Sequence, residues 1–343
     1  MAEILSPNLS PSLNQQSFDA IMHNYADNIK DAKIIAVGVS GGGDSMALAH
    51  LLAEYCAAHD KYLHIVSVNH QLRDAAQEEV LQVGAWVKDW PNTTHHILNW
   101  DHEQKPDSRI QESARSARYD LLCAHCARQN INALFIAHHL DDQYETFLMR
   151  LTSGSGLKGL AAMGEISATE NNIVKIRPLI HYTHNDLIDY CQRKGLNWIE
   201  DPSNQDTQYK RVRFRNTAAF LSEEGLSTKR VDTLITRIAR ANKALAYYTA
   251  QELNKVTTEE TSISQTIDLK LFLSLPDEIA LNILGQIMRK IQKSAANYPP
   301  SAEKLESLYA RIVNTHTPFQ GATLYKCQFS LRNKATALHI AQE

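Results

Sequence analysis

Apolar runs and helical stripes alternate along the first two-thirds of the chain. Nearly continuous apolar segments are typical of strands that are covered on both faces of a parallel sheet. They occur at KIIAVGV (33–39), YLHIVSV (62–68), HHILNW (95–100), INALFIAHH (131–139) and IVKIRPLI (173–180). Patterns with helical spacing follow them, beginning near residues 44, 77, 107, 141 and 184. This alternation predicts crossover connections, and hence an α/β fold with a doubly wound, mostly parallel sheet.

The alternation stops near residue 217, and mainly helical patterns follow. They cover 227–255, 276–293 and 301–314, before a hairpin-like segment at 322–340. A chain of 343 residues exceeds what one hydrophobic core usually serves. We therefore predict a first domain over 1–217, and a helical linker with a smaller α+β domain over 218–343.

Composition narrows the class of protein. With 43% hydrophobic and 21% charged residues and a net charge of -3, the chain resembles an ordinary globular protein that does not coat nucleic acid with its whole surface. No apolar stretch reaches the roughly 18 residues of a membrane span, and the first residues lack the order of a secretory signal. These features, together with an odd number of cysteines, predict a cytoplasmic protein.

Cys123 and Cys126 form a CxxC pair inside a helical pattern. A second CxxC is missing from the sequence, so buried helix cysteines are favoured over a zinc or iron–sulfur site.

The segment SGGGDS (40–45) joins the first predicted strand to a helix. Such a junction surrounds one concavity with backbone N–H groups and a helix N-terminus, which together bind anions. The glycines leave room for a phosphate, the serines offer hydroxyl groups, and Asp44 can cap the helix or hold a metal. Walker A and GxGxxG patterns are both missing here. The predicted phosphate-binding residues are Ser40, Gly41, Gly42, Gly43, Asp44 and Ser45.

SGGGDS after a buried strand resembles the SGGxDS loop of the N-type ATP pyrophosphatase (PP-loop) superfamily. Within it, the chain is similar to the tRNA(Ile)-lysidine synthetase family. The resemblance extends, in the order of the family, to VNHQLRDAA (68–76), ARSARYDLL (114–122), IAHHLDDQYET (136–146), GSGLKGLAAM (154–163), IRPLI (176–180) and EDPSNQDTQYKRVRFRN (200–216). It identifies 1–217 as the expected catalytic domain and 218–343 as the expected tRNA-binding part.

The resemblance implies a ligase that uses ATP and Mg²⁺. The family adenylates the C2 carbonyl oxygen of the wobble cytidine in an isoleucine tRNA with a CAU anticodon, and pyrophosphate leaves. Lysine then displaces AMP, and the modified base is lysidine. The implied partners are that tRNA and free lysine, while a homodimer stays open.

The resemblance implies functions for the polar residues that follow the fourth predicted strand. His138 or His139 would act as acid or base or would hydrogen-bond the α-phosphate, and one of the two would be structural. Asp142 and Glu145 lie three apart at a helix start and would bind magnesium or the lysine ammonium, although acidic residues also complement a helix dipole. The expected catalytic residues are Asp44, His138, Asp142 and Glu145, with Asp44 and Asp142 as expected magnesium ligands.

Basic residues form the expected tRNA surface. The segment from Gln208 to Asn242 contains eight basic and three acidic residues, which favours contact with phosphates. KRVRFRN fits either a strand or the start of an amphipathic helix, and a solvated charge run is the alternative. Arg115 and Arg118 lie three apart on one helix, where they contact phosphates together or form surface ion pairs. The expected tRNA-binding residues are Arg73, Arg115, Arg118, Lys210, Arg211, Arg213 and Arg215.

The chain departs from the family pattern at two positions. Gln71 stands where glycine is usual, which affects the backbone path beside His70 and Arg73. Tyr144 stands where a small residue is commoner, and it either narrows the pocket or packs in the core. Two alternatives to the synthetase stay open: a PP-loop tRNA thiolase, which needs cysteines near the nucleotide, and a nucleotide-binding regulator without catalysis.

Overall fold

The computed structural model describes residues 12–71, 75–101, 110–169, 173–200, 210–292, 301–314 and 318–343. The chain forms two compact units. One consists of 1–149 and 162–233, and the other of 150–161 and 234–343. A division after residue 217 stays a prediction.

The first unit is built on a sheet whose strands, over the described residues, are β1 (Ile34–Gly38), β2 (Tyr62–Asn69), β3 (Thr93–Asn99), β4 (Ala133–Phe135), β5 (Ile166–Ala168) and β6 (Val174–Ile176). Their order across the sheet is β3-β2-β1-β4-β6-β5. Neighbouring strands are parallel except at one edge, where β5 is antiparallel to β6. The predicted mostly parallel α/β sheet is confirmed.

Helices cover both faces of this sheet. Across both units, the described helices are α1 (Gln15–Met22), α2 (Ala26–Ile29), α3 (Gly43–Ala58), α4 (Ala75–Val87), α5 (Ile110–Arg128), α6 (Leu140–Leu151), α7 (Leu157–Leu160), α8 (His184–Lys194), α9 (Lys210–Glu223), α10 (Thr228–Val256), α11 (Leu269–Leu273), α12 (Asp277–Ile291) and α13 (Ala302–Val313). KRVRFRN therefore starts a helix, which resolves the choice between strand and helix.

The two faces of the sheet bury separate cores, because successive side chains of a strand point to opposite sides. Ile35 and Val37 of β1 belong to a core with side chains of α1, α3 and α8. Ala36, between them, belongs to a second core that contains Leu122 and Cys126 of α5. Cys126 of the CxxC pair is thus a buried helix residue, and Cys123 packs against the same core.

Two predicted strands prove to be too long. The predicted strand over 131–139 is a strand only at 133–135, and the one over 173–180 only at 174–176. Pro178 has no backbone N–H to donate to a ladder, so the apolar run continues as a buried turn. The residues after each short strand lie beyond the carboxyl edge of the sheet, where they are available to a site.

The second unit contains an antiparallel sheet in the order β7-β8-β11-β10-β9 over the described residues. Its strands are β7 (Thr257–Glu260), β8 (Ser264–Asp268), β9 (Ala322–Leu324), β10 (Cys327–Arg332) and β11 (Ala337–Gln342). Ile283 and Ile287 of α12 pack in one core with Phe329 and Ile340 of the sheet. This confirms the smaller α+β part, although the β7–β8 hairpin was not predicted. No described helix of either unit has the length and apolarity needed to cross a bilayer.

Candidate active site

The glycine loop (Ser40–Ser45) and the polar segment 138–142 follow adjacent strands. Val37 of β1 pairs with Phe135 of β4, so the two strands end side by side. The strand order reverses between them, since β2 and β3 lie on one side of β1 and β6 on the far side of β4. In open α/β sheets, ligands bind in the crevice outside such a reversal. We refer to this cleft as the switch-point crevice.

The glycine loop has a tight bend that ends in a helix N-terminus. Gly41 has a φ of 91°, a conformation that favours glycine, and Gly42 occupies the N-cap position of α3 without a side chain to cap it. The buried Ser45 Oγ accepts a hydrogen bond of 3.2 Å from the Ser40 amide and donates one of 2.9 Å to the Gly42 carbonyl. These two hydrogen bonds within the loop therefore fix the conformation of the bend.

Packing beneath the loop restricts its glycines unequally. A Cβ atom on Gly41 would lie 2.7 Å from Ile199 Cδ1, whereas one on Gly42 would meet, among the described residues, nothing closer than Ser40 Oγ at 3.8 Å. The Gly41 carbonyl also accepts a hydrogen bond of 2.9 Å from the Ile199 amide. The loop is therefore supported on the Gly41 side and open on the Gly42 side.

Cys191 of α8 lies under the same loop. Its thiol donates to the Gly43 carbonyl over 3.4 Å, and burial raises the pKa of the thiol to about 12. A neutral, buried thiol is a poor nucleophile. Cys191 therefore supports the loop backbone, and its chemistry does not favour a reactive sulfur centre.

Carboxylates and imidazoles meet in the switch-point crevice in what we call the acid–histidine cluster (Asp44, His139, Asp141, Asp142 and His184). His184 Nδ1 lies 2.8 Å from Asp44 Oδ1, and His139 Nε2 lies 3.5 Å from Asp44 Oδ2. The same His139 nitrogen lies 3.5 Å from Asp142 Oδ2. Asp44 thus links the glycine loop to the segments that follow β4 and β6.

Electrostatics keeps the acid–histidine cluster charged. Burial by itself lowers the pKa of His139, but contacts with Asp141 and Asp44 and the charge of Asp142 raise it to about 10. Burial by itself raises the pKa of Asp44, but its contacts with His139 and His184 hold that pKa well below the ordinary value. At neutral pH the crevice therefore contains an ionised Asp44 beside a protonated His139.

His138 lies in a different environment from its neighbour. Its Nδ1 accepts a hydrogen bond of 3.1 Å from Arg177 Nε, and its Nε2 lies 3.4 Å from the Tyr119 hydroxyl and 3.3 Å from an Arg115 nitrogen. Arginine nitrogens only donate, so a neutral ring cannot accept from both Arg177 and Arg115. The bond from Arg177 is the shorter and the more buried, and it leaves Nδ1 without a proton. The ring proton is then on Nε2, where the Tyr119 hydroxyl can accept it and Arg115 lies alongside without a hydrogen bond to that nitrogen. His138 is thus a hydrogen-bond donor through Nε2.

Positive side chains gather around Tyr119, in what we call the basic cluster (Arg115, Lys175 and Arg177). The Arg115 guanidinium and Lys175 Nζ lie 5.3 and 4.9 Å from the centroid of the Tyr119 ring. Burial, together with the charges of Arg177 and Arg115, lowers the pKa of Lys175. Cations held this close to one another favour an anion as a ligand.

The two predicted acidic residues of α6, Asp142 and Glu145, differ in their exposure to solvent. Glu145 is only 3% exposed, while Asp142 accepts a hydrogen bond of 3.1 Å from the His139 amide through Oδ2. Asp141 Oδ2 accepts one of 2.7 Å from the His184 amide. Asp141 and Asp142 thus bind backbone N–H groups as well as the His139 ring.

The structure describes the side chains of only some of the predicted tRNA-binding residues. Arg118 on α5 and Arg213 on α9 are exposed. Arg73 lies outside the described residues, and the same holds for the side chains of three residues within α9, which are Lys210, Arg211 and Arg215.

The structure shows how the two residues that depart from the family pattern, Gln71 and Tyr144, are accommodated. Gln71 adopts a φ of 53°, the left-handed conformation in which glycine is common, and its amide donates to Asn69 Oδ1 over 3.1 Å. Tyr144 is 3% exposed, and its hydroxyl donates to the Leu226 carbonyl over 3.2 Å. Gln71 therefore keeps the glycine-like backbone path, and Tyr144 packs in the core.

The sequence pattern does not reveal one partner of each of two catalytic candidates. His184 contacts Asp44, and Arg177 contacts His138, although the pattern predicts only a helix for the first and a motif for the second. Both follow β6, the strand next to β4, so their position after a strand end was a usable signal.

Comparison with known proteins agrees with the site. A family model described as a PP-loop domain matches residues 12–219, which makes this a protein of the PP-loop class. A U34-tRNA thiolase from Methanococcus maripaludis shares the fold, with a TM-score of 0.52 and 16% identity over 67% of this chain and 85% of that one.

Curated relatives narrow the class further. A tRNA(Ile)-lysidine synthase from Wolbachia sp. subsp. Brugia malayi is 35% identical over 90% of this chain and 71% of its own length. Proteins of the same name from Ruegeria pomeroyi and a Bradyrhizobium species are 35% and 34% identical, with 65% and 81% of their lengths covered. The chain belongs to the tRNA(Ile)-lysidine synthase family of PP-loop proteins, which confirms the resemblance seen in its motifs.

Proposed function

We infer that this chain ligates lysine to C2 of the wobble cytidine in an isoleucine tRNA with a CAU anticodon, at the expense of ATP. The C2 oxygen attacks the α-phosphorus and pyrophosphate leaves; the lysine amine then forms the C–N bond and AMP leaves with that oxygen. The observation that carries this inference is that the glycine loop and the acid–histidine cluster meet in the switch-point crevice of a lysidine synthase family member.

We propose that the glycine loop binds the pyrophosphate end of ATP. Its open side at Gly42 lets phosphate oxygens approach the backbone amides at the start of α3. The positive end of the helix dipole points at the same place. Amides held rigidly by Ser45 stabilise the charge that develops on the leaving pyrophosphate without reorganising.

The acid–histidine cluster fits a magnesium ion by the chemistry of its donors. Mg²⁺ prefers oxygen ligands, and it is commonly held by one or two carboxylates together with substrate phosphates. We propose that Asp44, which stays ionised next to the loop, holds it, with Asp142 as the second candidate ligand. When bound, the ion would neutralise part of the pyrophosphate charge.

We propose that His138 and the basic cluster act on the α-phosphate. With Arg177 fixing its tautomer, His138 donates Nε2–H toward an acceptor, and the adjacent Arg115 adds a charged donor. Both groups are hydrogen-bond donors, so they stabilise a phosphate that gains charge during attack. This assigns His138 to charge stabilisation, and it leaves His139 as the cation that orders Asp44.

We propose that Asp142 and Glu145 receive the lysine ammonium on the same side of α6. The exposed basic residues Arg118 and Arg213, with Arg73, Lys210, Arg211 and Arg215, would contact the tRNA backbone, and 218–343 would bind tRNA features away from the anticodon. A cytoplasmic location and a homodimer stay predictions.

The thiolase alternative finds less support. Cys191 is the described cysteine that contacts the glycine loop, and its raised pKa makes it a weak nucleophile. The likeness to the archaeal thiolase, at 16% identity, concerns the fold alone.

Transfer of labelled lysine tests the proposal. The chain is incubated with ATP, Mg²⁺, labelled lysine and an isoleucine tRNA transcript, and we expect label on the RNA and one AMP for each lysine. A transcript with uridine at the wobble position is the matched control and should receive no label. Sulfur-dependent modification would support the thiolase, and absence of AMP in every mixture would support the regulator.

A further inference from the structure

Three histidines converge between the sheet and α5, away from the glycine loop and the acid–histidine cluster. We call them the three-histidine cluster (His64, His96 and His125). His64 lies on β2, His96 on β3 and His125 near the end of α5. His64 and His96 share a face of the sheet, because Val66 of β2 pairs with His96 and lies two residues from His64.

The rings lie close together in all three pairs. Their centroids are separated by 4.4 Å for His64 and His96, 4.6 Å for His96 and His125, and 5.5 Å for His64 and His125. One nitrogen from each ring can be chosen so that the three nitrogens lie within 4.8 Å of one another.

One nitrogen separation in the three-histidine cluster has about the length of an edge in a metal-centred tetrahedron. His64 Nδ1 lies 3.2 Å from His125 Nε2. Zinc–nitrogen bonds of about 2.0–2.1 Å place neighbouring ligand nitrogens about 3.3–3.4 Å apart in tetrahedral geometry. A modest rotation of His96 would bring the third nitrogen to a similar separation, since its ring already lies against both others.

His96 supplies an independent indication of a missing ligand. Its Nε2 is fully buried and has no hydrogen-bond partner among the residues that the structure describes. A buried polar atom without a partner costs free energy, and most such atoms in folded proteins are satisfied. A metal ion in the three-histidine cluster would satisfy this nitrogen.

We propose that the three-histidine cluster binds one divalent transition-metal ion, with Zn²⁺ as the expected occupant and a fourth position open to water. Three imidazoles without a carboxylate suit Zn²⁺, Co²⁺, Ni²⁺ or Cu²⁺ better than Mg²⁺ or Ca²⁺. The ion would tie β2 and β3 to α5, and α5 also contributes Arg115 and Tyr119 to the site.

The protonation of the rings is compatible with this site. Burial lowers the pKa of all three histidines, and the other two rings add to this effect for His125, whose pKa is about 4. Neutral imidazoles have a lone pair free for a metal. The charge of Arg128 contributes to the low pKa of His125 and opposes a cation, so the affinity should be moderate for a three-histidine site.

Cobalt binding tests the proposal with a matched pair of variants on one strand. Chelator-treated protein is titrated with Co²⁺, whose visible absorption reports tetrahedral nitrogen ligation, and the melting temperature is measured with Zn²⁺. His96→Gln removes a proposed ligand. His95→Gln is the control, because the adjacent His95 lies on the opposite face, with its Nε2 3.0 Å from Ser67 Oγ. Both are made in a His184→Gln background, which weakens the second group of potential metal ligands found in the described part of the chain, Asp44, His139 and His184.

We expect His95→Gln to retain the tetrahedral cobalt spectrum and the rise in melting temperature with Zn²⁺. His96→Gln should lose both, with metal affinity falling by more than the roughly tenfold to hundredfold caused by losing an outer-shell partner. Equal cobalt spectra in the two variants would overturn the proposal.

X-ray absorption on zinc-loaded wild-type protein provides a test that does not depend on the folding of a variant. Three imidazole ligands would support the three-histidine cluster as the site. A shell dominated by carboxylate oxygen, or no bound zinc, would overturn it. Because neither measurement uses ATP or tRNA, the result is independent of the proposed ligase activity.

Discussion

Arg177 Nε donates a hydrogen bond of 3.1 Å to His138 Nδ1, and the two side chains are only 8% and 9% exposed. The bond joins the residues that follow β6 to those that follow β4. It also decides which nitrogen of His138 has the proton, since the guanidinium cannot accept. Arg177, which lies outside the glycine loop, thereby determines which nitrogen of His138 can donate a hydrogen bond.

Replacing Arg177 should impair adenylation. In Arg177→Gln the charged donor to His138 is lost, and a buried hydrogen bond of this kind contributes about 1.5–3 kcal/mol. We expect pyrophosphate release to fall about tenfold to a hundredfold, mostly in kcat, because the tautomer matters when charge develops on the phosphate.

The control for Arg177→Gln is Ser167→Ala. Arg177 also donates to Ser167 Oγ over 3.1 Å, so this variant removes a structural contact of the same guanidinium and leaves His138 untouched. Ser167→Ala should adenylate like the wild type. Equal losses of kcat in the two variants would mean that Arg177 only supports the fold.

The sequence predicted the glycine loop, its helix and the polar segment 138–142, since each is a local pattern. The position of His184 after a strand end is visible in the sequence, but its contact with Asp44 is not, because the two residues lie 140 positions apart and meet only when α8 packs on α3. The edge strand β5 has only three residues, too few to show alternation. The three-histidine cluster was missed for the same reason as His184, since its members come from three separate elements.

Alanine in place of two neighbouring glycines should separate folding from nucleotide binding. Gly41→Ala forces a residue with a side chain into a φ of 91° and against Ile199, so we expect a loss of at least about 1–2 kcal/mol in unfolding free energy. Gly42→Ala, on the open side, should change stability by less than about 1 kcal/mol. Its methyl group should still lower ATP turnover about tenfold to a hundredfold by displacing phosphate.

Urea unfolding and ATP-dependent pyrophosphate release measure the two effects. Normal turnover by a stable Gly42→Ala protein would contradict the idea that phosphates approach the loop there.

Stability should decline as pH rises from neutral to alkaline values. His139 has a pKa of about 10 in the folded protein, above its ordinary 6.5, so it binds protons more tightly when folded. Its stabilisation is therefore fully present below about pH 6.5 and is lost as pH rises through about 10. The stabilisation by His181 has the same pH dependence, because contacts with Asp232 and Glu165 raise the pKa of His181 to about 10.

Urea unfolding at a series of pH values checks this expectation. The unfolding free energy of His139→Gln and of His181→Gln should each fall less steeply than that of the wild type between pH 6.5 and 10, and that of the double variant should fall least steeply of all. A wild-type profile that rises across this window would refute the assigned direction.

Tyr144→Phe should cost stability without affecting ATP use. The variant leaves the Leu226 carbonyl without its hydroxyl donor, which costs about 1 kcal/mol for a typical hydrogen bond. Because Tyr144 packs in the core, the KM for ATP should stay unchanged. Tyr62→Phe is the matched control, since Tyr62 is 55% exposed and should change neither quantity. A raised or lowered KM in Tyr144→Phe would place this side chain at the nucleotide instead.

The proposed ligase activity requires that the backbone amides of the glycine loop hold the pyrophosphate end of ATP. A crystal structure of the chain with a non-hydrolysable ATP analogue and Mg²⁺ tests it most directly. We expect β- and γ-phosphate oxygens within hydrogen-bond distance of amides between Gly41 and Ser45, with the α-phosphate near His138. A triphosphate bound elsewhere, with those amides facing only solvent, would contradict it.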